Sequence, residues 1–395
     1  MAEACLKEGY VKEITQELLQ DIGNELRKEN GSHYLALKTL EVIDEDCDAG
    51  KPYNVIIDSI RNDWEVKFLR QFPKFFLVSV FADTETRFGR WSKQNPKASF
   101  EDFETVDRRD AEEIFIYGQK VEKCTYESDI VINNDETIEI SNPKARENHV
   151  KEKFQKYLDL IEKGPSVYIR PSLDEKLMTL AYLESMSSSC LQRKVGAVIS
   201  TEDGHIISVG YNNVPFSERT CYDQYGECYR NFLKKAHARL LKSCPICGRK
   251  ITLECPKCSE KIEGYEPICA KCKTELKFDY VCSGCGKKIF EIFTPGAKQS
   301  IGKLLDVCRA LHAEENAIVN AAKIGNISLV NATIFSTTYP CKLCANKISQ
   351  VGIKKVVYNE PYSMAEAREI LNNRGVKVIK FEGVKSSAFF RLFGT

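Results

Sequence analysis

The sequence has no apolar run able to cross a bilayer: the stretch around Phe75 to Phe81 falls far short of the roughly 20 residues a spanning helix needs, so no membrane partner is expected. Met1 to Tyr10 lacks the basic region and apolar stretch of a secretory leader, so a cytoplasmic location is expected. Net charge is almost absent: 57 basic against 56 acidic side chains leave +1, which removes bulk attraction to polyphosphate and disfavours nucleic acid as a substrate. Nowhere does G-x-x-x-x-G-K-[ST] occur, so the backbone cradle for nucleotide phosphates and its lysine are missing.

Cysteine is abundant. The 395-residue chain carries 17, most of them in C-x-x-C pairs. In a small secreted protein they would suggest disulfides; in a long chain without a leader they point to metal, zinc first.

The chain reads as two domains. Within residues 1–145, helical patterns at Ile14 to Arg27 and Tyr34 to Ile43 alternate with strand patterns at Asn54 to Ile57 and Phe75 to Phe81, which predicts a parallel α/β layer. The polar, highly charged stretch from Ser141 to Lys163 reads as a linker or a solvated helix, and the linker between the domains is placed at 146–170. Ser172 and Glu175 then form the S-x-x-E capping-box pattern ahead of Leu177, Leu180 and Leu183. Strands Val195 to Ile199 and Ile206 to Tyr211 are expected to pair through Glu202-Asp203-Gly204, followed by alternating helices and strands to Phe381, which predicts a mixed sheet covered by helices over 171–395.

An insertion at 243–288 interrupts that domain with four knuckles: Cys244-Pro-Ile-Cys247, Cys255-Pro-Lys-Cys258, Cys269-Ala-Lys-Cys272 and Cys282-Ser-Gly-Cys285. Eight cysteines complete two closed Cys₄ zinc sites, and too few apolar residues lie between them to form a core unaided. Three pairings of the knuckles are open. A structural or protein-contact role is expected, since the thiolates cancel much of the local lysine charge.

Two further segments carry the chemistry. Leu311-His312-Ala313-Glu314-Glu315-Asn316 opens one expected helix, and Tyr339-Pro340-Cys341-Lys342-Leu343-Cys344 opens another after an intervening strand. One histidine and two thiolates make three protein ligands, which leaves a tetrahedral zinc its fourth position for water and marks a catalytic rather than a structural site. Zinc lowers the pKa of such a water from about 15.7 toward about 7. The order H-x-E…P-C-x-x-C resembles the layout of the zinc-dependent nucleobase deaminases, and that resemblance implies that Glu314 is the proton shuttle and not a ligand.

From Ser172 to Phe381, apart from the cysteine insertion, the chain resembles the deoxycytidylate deaminase family of the cytidine-deaminase superfamily. The resemblance is carried by Arg193-Lys-Val-Gly196-Ala-Val-Ile199, Gly210-Tyr-Asn212-Asn213-Val-Pro215, the His312 segment and Thr337-Thr-Tyr-Pro340-Cys341. It implies a cytidine-deaminase-like three-layer mixed sheet with a zinc-ribbon insertion, deaminating free deoxycytidine nucleotides, dCMP or dCTP, in a homo-oligomer. By the same resemblance Asn212 contacts the sugar and base side of the nucleotide and the Ala313 backbone faces the cytosine carbonyl. Arg193 is a candidate phosphate partner, Asn316 meets substrate or bonds locally, and Tyr339 packs beside the base or in the core. Asn213 stands where the family has glycine. Some members carry a second zinc near the active site, which makes Cys190, Cys221, Cys228 and Cys308 a further candidate set and brings the expected zinc to one catalytic ion and two or three structural ones.

The N-terminal segment resembles the later part of a P-loop nucleotide kinase through Gly23-Asn-Glu-Leu-Arg27, Val55-Ile-Ile-Asp58, Arg61-Asn62 with Glu65, and Arg87 with Arg90. Without the phosphate loop, phosphoryl transfer is not expected, although Arg87, Arg90, Arg108 and Arg109 could still meet a nucleotide. The two resemblances together are similar to bacterial anti-phage deoxycytidine nucleotide deaminases, whose usual phosphate loop precedes the point at which this chain starts. The competing readings are a deaminase of single-stranded polynucleotide and a zinc-ribbon scaffold; the intact Glu314 argues against the scaffold, which has no need of it.

Overall fold

The computed structural model describes residues 16–46, 54–111, 113, 115–135, 143–164, 169–216, 218–232, 247–250, 252–263, 269–274, 284, 286, 308–361 and 365–394. The first part of the chain holds α1 (Gln16–Asn30), α2 (Tyr34–Asp46), α3 (Asp63–Leu69), β1 (Val78–Phe81), α4 (Thr84–Gln94), α5 (Phe100–Ala111), α6 (Val121–Glu127), β2 (Ile130–Asn133) and α7 (Pro143–Lys163). Next come α8 (Leu173–Met186), β3 (Gly196–Ser200), β4 (Ile206–Tyr211), α9 (Cys221–Tyr225), β5 (Thr252–Glu254), β6 (Lys261–Glu263) and α10 (Ala313–Ile324). The last part holds β7 (Thr333–Thr338), α11 (Lys342–Gln350), β8 (Lys355–Glu360), α12 (Ala365–Asn373), β9 (Lys377–Lys380), β10 (Gly383–Val384) and α13 (Ser386–Phe393). Among the described residues no helix is long and apolar enough to cross a membrane.

The chain divides into two compact units: Met1–Leu183 with Ser200–Ile206 and Leu329–Thr395, and Glu184–Ile199 with Ile207–Ser328. The first unit joins parts of the chain that are distant in sequence. There β2 pairs parallel with β1, Ile130 opposite Val78, and antiparallel with β10, Val131 opposite Gly383. A two-residue strand near the C-terminus thus completes a mixed sheet begun near the N-terminus. Ile130 and Ile132 pack with Val384, Ala388 and Leu392, and with Tyr157 and Leu160 of α7. Of the two readings of this stretch, a linker or a solvated helix, the helix is the one found through Lys163, with Tyr157 and Leu160 buried rather than solvated.

The capping box read at Ser172 forms, with the Ser172 N–H donating to the Glu175 carboxylate at 2.7 Å and the Glu175 N–H to Ser172 Oγ at 3.2 Å. Glu175 does more than cap. Fully buried, it also accepts the Val384 N–H at 2.8 Å and so ties the start of α8 to β10. Elsewhere in this unit β7, β8 and β9 run parallel in register, with every residue of β7 buried. Parallel and mixed sheets with intervening helices give the expected α/β class.

The strand expected at Asn54 to Ile57 is absent. Val55 and Ile56 are 45% and 81% exposed, and without a neighbouring strand their backbone has no ladder to join. The polar residues behind the N-terminal resemblance are spent on one another. Arg27 and Glu65 form a buried ion pair at 2.8 Å, Glu65 also accepts from the Arg61 and Asn62 N–H groups, and the Asn62 amide donates to the Ile116 and Gly118 carbonyls. Arg87 pairs with Asp107, Arg108 with Glu104, and Arg109 with Asp21 and Glu113, while Arg90 donates to the Asn134 carbonyl. These arginines brace the helices around β1 and β2.

In the second unit β3 and β4 are neighbours, and α10 lies along β4. Ser208 donates to the Ala317 carbonyl at 2.8 Å, Asn320 to the Val209 carbonyl at 2.9 Å and Asn316 to the Tyr211 carbonyl at 3.0 Å. Three side chains thus lash helix to strand, and small residues at Ala313, Ala317 and Ala321 let the two approach. The described part of the insertion contains a short antiparallel hairpin, β5 with β6, Leu253 opposite Ile262.

Candidate functional site

His312 is the N-cap residue of α10, held extended at φ −74° and ψ 159°, with its N–H turned to the Glu315 carboxylate at 3.4 Å. The expected helix thus starts one residue after the histidine, and His312 is fixed by a capping box rather than by the helix interior. Its carbonyl accepts the first helical bond from the Asn316 N–H at 2.8 Å. Glu314, in the first turn, is only 4% exposed. A carboxylate at a helix N-terminus is favoured there by the macrodipole.

Cys341 stands at the N-cap position of α11, extended at φ −72° and ψ 170°, and Cys344 lies in the first turn. Both are buried, at 6% and 0% exposure, where the positive end of the helix favours thiolate. Among the described residues two groups could hold a metal ion, each with ligand atoms within 4.8 Å of one another: His312, Cys341 and Cys344, and Cys255, Cys258, Cys269 and Cys272. The first is a nitrogen and two soft sulfurs, the second four sulfurs. Both donor sets suit zinc, the first with a position to spare and the second closed.

The remaining expected residues divide by their partners. Asn212 is 9% exposed, and its amide is bound to its own chain: Nδ2 donates to the Arg193 carbonyl at 2.8 Å, while Oδ1 accepts from the Val195 N–H at 2.7 Å and faces the Ser188 hydroxyl at 2.8 Å. Asn316 bonds locally, to the Tyr211 carbonyl. Tyr339 is 6% exposed, with its ring edge-on to Tyr358 at 4.8 Å and its N–H on the Glu360 carbonyl. It packs in the core. Sequence reasoning passed over Ser188 and Ser189, whose hydroxyls meet Asn212 and Asn213; a pair of hydroxyls ending a helix opposite a pair of asparagines was the available signal.

Cys190, Cys221, Cys228 and Cys308 line one small cavity of about 20 Å³. Burial lifts the Cys308 thiol above its ordinary pKa, and the neighbouring Cys190 and Cys228 add to the rise. In the insertion, the second and third knuckles come together: Cys255 Sγ lies 3.4 Å from Cys272 Sγ, and Cys258 Sγ 3.6 Å from Cys269 Sγ. Their backbones repeat each other, Ser259 N–H donating to the Cys255 carbonyl and Lys273 N–H to the Cys269 carbonyl, both at 2.9 Å. The residue after the last cysteine of every knuckle has positive φ: Gly248 68°, Ser259 53°, Lys273 59° and Gly286 69°. A Cβ on Gly284, inside the fourth knuckle, would fall 2.9 Å from Cys247 Sγ of the first. Cys244, Cys282 and Cys285 lie outside the described residues.

Residues 171–360 match the family model of the cytidine and deoxycytidylate deaminase zinc-binding region. The deoxycytidylate deaminase of Schizosaccharomyces pombe is 26% identical over 339 residues, 85% of this chain and 79% of that protein. The deoxycytidylate deaminase of Enterobacteria phage T2 is 32% identical over 204 residues, 51% of this chain and 88% of the phage protein.

Proposed function

The chain belongs to the deoxycytidylate deaminase family, and from that premise we propose that it hydrolyses the 4-amino group of free dCMP, releasing dUMP and ammonia. The reading is carried by one observation: the ligand atoms of His312, Cys341 and Cys344 lie within 4.8 Å of one another, and the buried Glu314 stands two residues beyond the histidine. Zinc bound by these three side chains supplies the Lewis acid that makes water nucleophilic near neutral pH. Glu314 takes one proton from the water and gives it to N3 of the cytosine as the oxygen adds to C4. It then carries the remaining hydroxyl proton to the 4-amino group, which leaves as ammonia as the C4–N bond breaks and C4=O forms, and its burial keeps bulk water from intercepting either proton. The Ala313 main chain faces the cytosine carbonyl and Arg193 meets the phosphate. Asn212 acts through the Arg193–Val195 segment, whose carbonyl and N–H it holds.

Structural zinc belongs to the same proposal. Cys255, Cys258, Cys269 and Cys272 hold one ion. The positive φ shared by Gly248, Ser259, Lys273 and Gly286 and the approach of Gly284 to Cys247 support a second ion shared by the first and fourth knuckles, on Cys244, Cys247, Cys282 and Cys285. Cys190, Cys221, Cys228 and Cys308 line one cavity without being among the groups whose ligand atoms lie within 4.8 Å of one another, so one more ion there would require their side chains to close on it.

The test is incubation of the purified protein with dCMP, dCTP, CMP, cytidine and single-stranded DNA, with uracil products scored by mass spectrometry. Release of dUMP from dCMP is expected. Deamination confined to the oligonucleotide would overturn the reading.

A further inference from the structure

We infer that Ser189 and Asn213 form a positioning pair that sets the angle of the His312 imidazole, an inference that rests on His312 being a metal ligand. Asn213 and Leu311 make an isolated antiparallel bridge, Asn213 N–H to Leu311 O at 3.2 Å and Leu311 N–H to Asn213 O at 2.9 Å. His312 is the next residue. A displacement of the Asn213 backbone is therefore passed to the point where the His312 backbone begins.

On its other side Asn213 is tied down by its side chain, Oδ1 accepting the Ser189 hydroxyl. The rung beside it is built alike: Ser188 Oγ lies 2.6 Å from the Asn212 carbonyl oxygen and 2.8 Å from Asn212 Oδ1, and accepts the Cys190 N–H at 3.1 Å. Three segments, 188–189, 212–213 and 311–312, thus lie side by side, the first pair held by side chains and the second by backbone. Asn213 is not among the residues with positive φ, so the glycine expected at this position is not required for its conformation. What Asn213 contributes is its amide oxygen.

Metal-ligating histidines depend on outer contacts for orientation, and small misplacements lower turnover without abolishing binding. The test uses the full chain with Co(II) in place of zinc, read as the difference from the Cys344→Ser protein so that bands of the cysteine-only sites cancel and the remainder reports ligand geometry at His312. Ser189→Ala and Asn213→Gly should each shift those bands and lower kcat for dCMP by about three- to tenfold, the scale of one lost hydrogen bond acting through a neighbour, with KM changed less than about twofold. Ser189→Thr should restore both readouts, and the double variant should be no worse than either single one. Unmoved bands and unchanged kcat in both single variants, or additive losses in the double, would overturn the pair. A parent protein inactive on dCMP would count against the substrate reading alone, because the cobalt bands would still test the pair. A parent that binds no Co(II) at His312 would remove the premise and the pair together.

Discussion

A methyl group on Gly210 would lie 2.3 Å from the backbone nitrogen of Ala317, and 2.5 Å from the carbonyl oxygen of Ala313. Strand β4 and helix α10 therefore meet backbone to backbone, and no rotamer change can relieve an added side chain. The glycine of the Gly210-Tyr-Asn212 segment is needed for that approach. Because α10 begins directly after His312, its N-cap residue and a candidate metal ligand, the spacing also decides where His312 sits. Gly210→Ala should lower the melting temperature by about 5 °C or more, from an overpacking cost of roughly 1–3 kcal/mol or above, and reduce the zinc bound at His312. Calorimetry with metal analysis checks it, and a variant that melts with the parent would show that the strand and helix can separate at no cost.

Glu314→Gln keeps the size and the helical position of the side chain and removes its ability to carry a proton. Zinc content and melting temperature should stay those of the parent, while kcat for dCMP falls by about 10²–10⁴, the contribution of a positioned acid–base group. Loss of zinc in this variant would instead make Glu314 a ligand or a support for one. Turnover at the parental rate would remove it from the reaction.

Much of this site was legible because its signals are local. His-Ala-Glu, Pro-Cys-x-x-Cys and the Ser172/Glu175 capping box are short spacings whose chemistry does not depend on the rest of the chain, and the capping box formed as read. The parts that could not be read are long-range. β10 offers Gly383 and Val384 only, too little for a strand pattern, and pairs with β2 far earlier in the chain. Helix α7 was legible as one of two readings, but its packed face was hidden by its charges, since a stripe of Phe154, Tyr157, Leu160 and Ile161 is sparse among lysines and glutamates. Val55 and Ile56 show the opposite error: apolar residues alone do not make a strand without a partner. Knuckle pairing was open for a simpler reason, that four equal turns carry no record of which closes on which.

The metal content separates the centres. Zinc analysis should find about three ions per chain, or about four if the Cys190 set is filled, by ligand arithmetic. Cys269→Ser should lose one of them and loosen the insertion while leaving most of the dCMP deamination. Cys344→Ser should remove a different ion and abolish turnover. A parent with a single zinc per chain would sink the ribbon sites, and a Cys269→Ser variant with full zinc content would show that the second and third knuckles do not share an ion.

Lys380 supplies a pH dependence that owes nothing to catalysis. It is 7% exposed, its ammonium lying 5.5 Å from the Phe81 ring centroid and 5.6 Å from that of Tyr358, with Asn359 Oδ1 at 3.4 Å. Burial, with help from the neighbouring Lys385 charge, pulls its pKa down from 10.5 to about 7. Between those two values the unfolded chain holds a proton that the folded chain has released, so the lysine makes stability rise with pH across that window. Below it both states are charged, and the folded state bears the full cost of the buried ammonium, on the order of a few kcal/mol. Lys380→Met keeps the volume and removes the charge. Relative to the parent, the variant should be more stable at pH 6 to 7 by several degrees of melting temperature, with the advantage shrinking toward pH 10. The comparison between the two proteins isolates the lysine from every other titrating group. An advantage that grew with pH would mean that the buried ammonium is stabilised by its two rings and Asn359 rather than penalised by its burial.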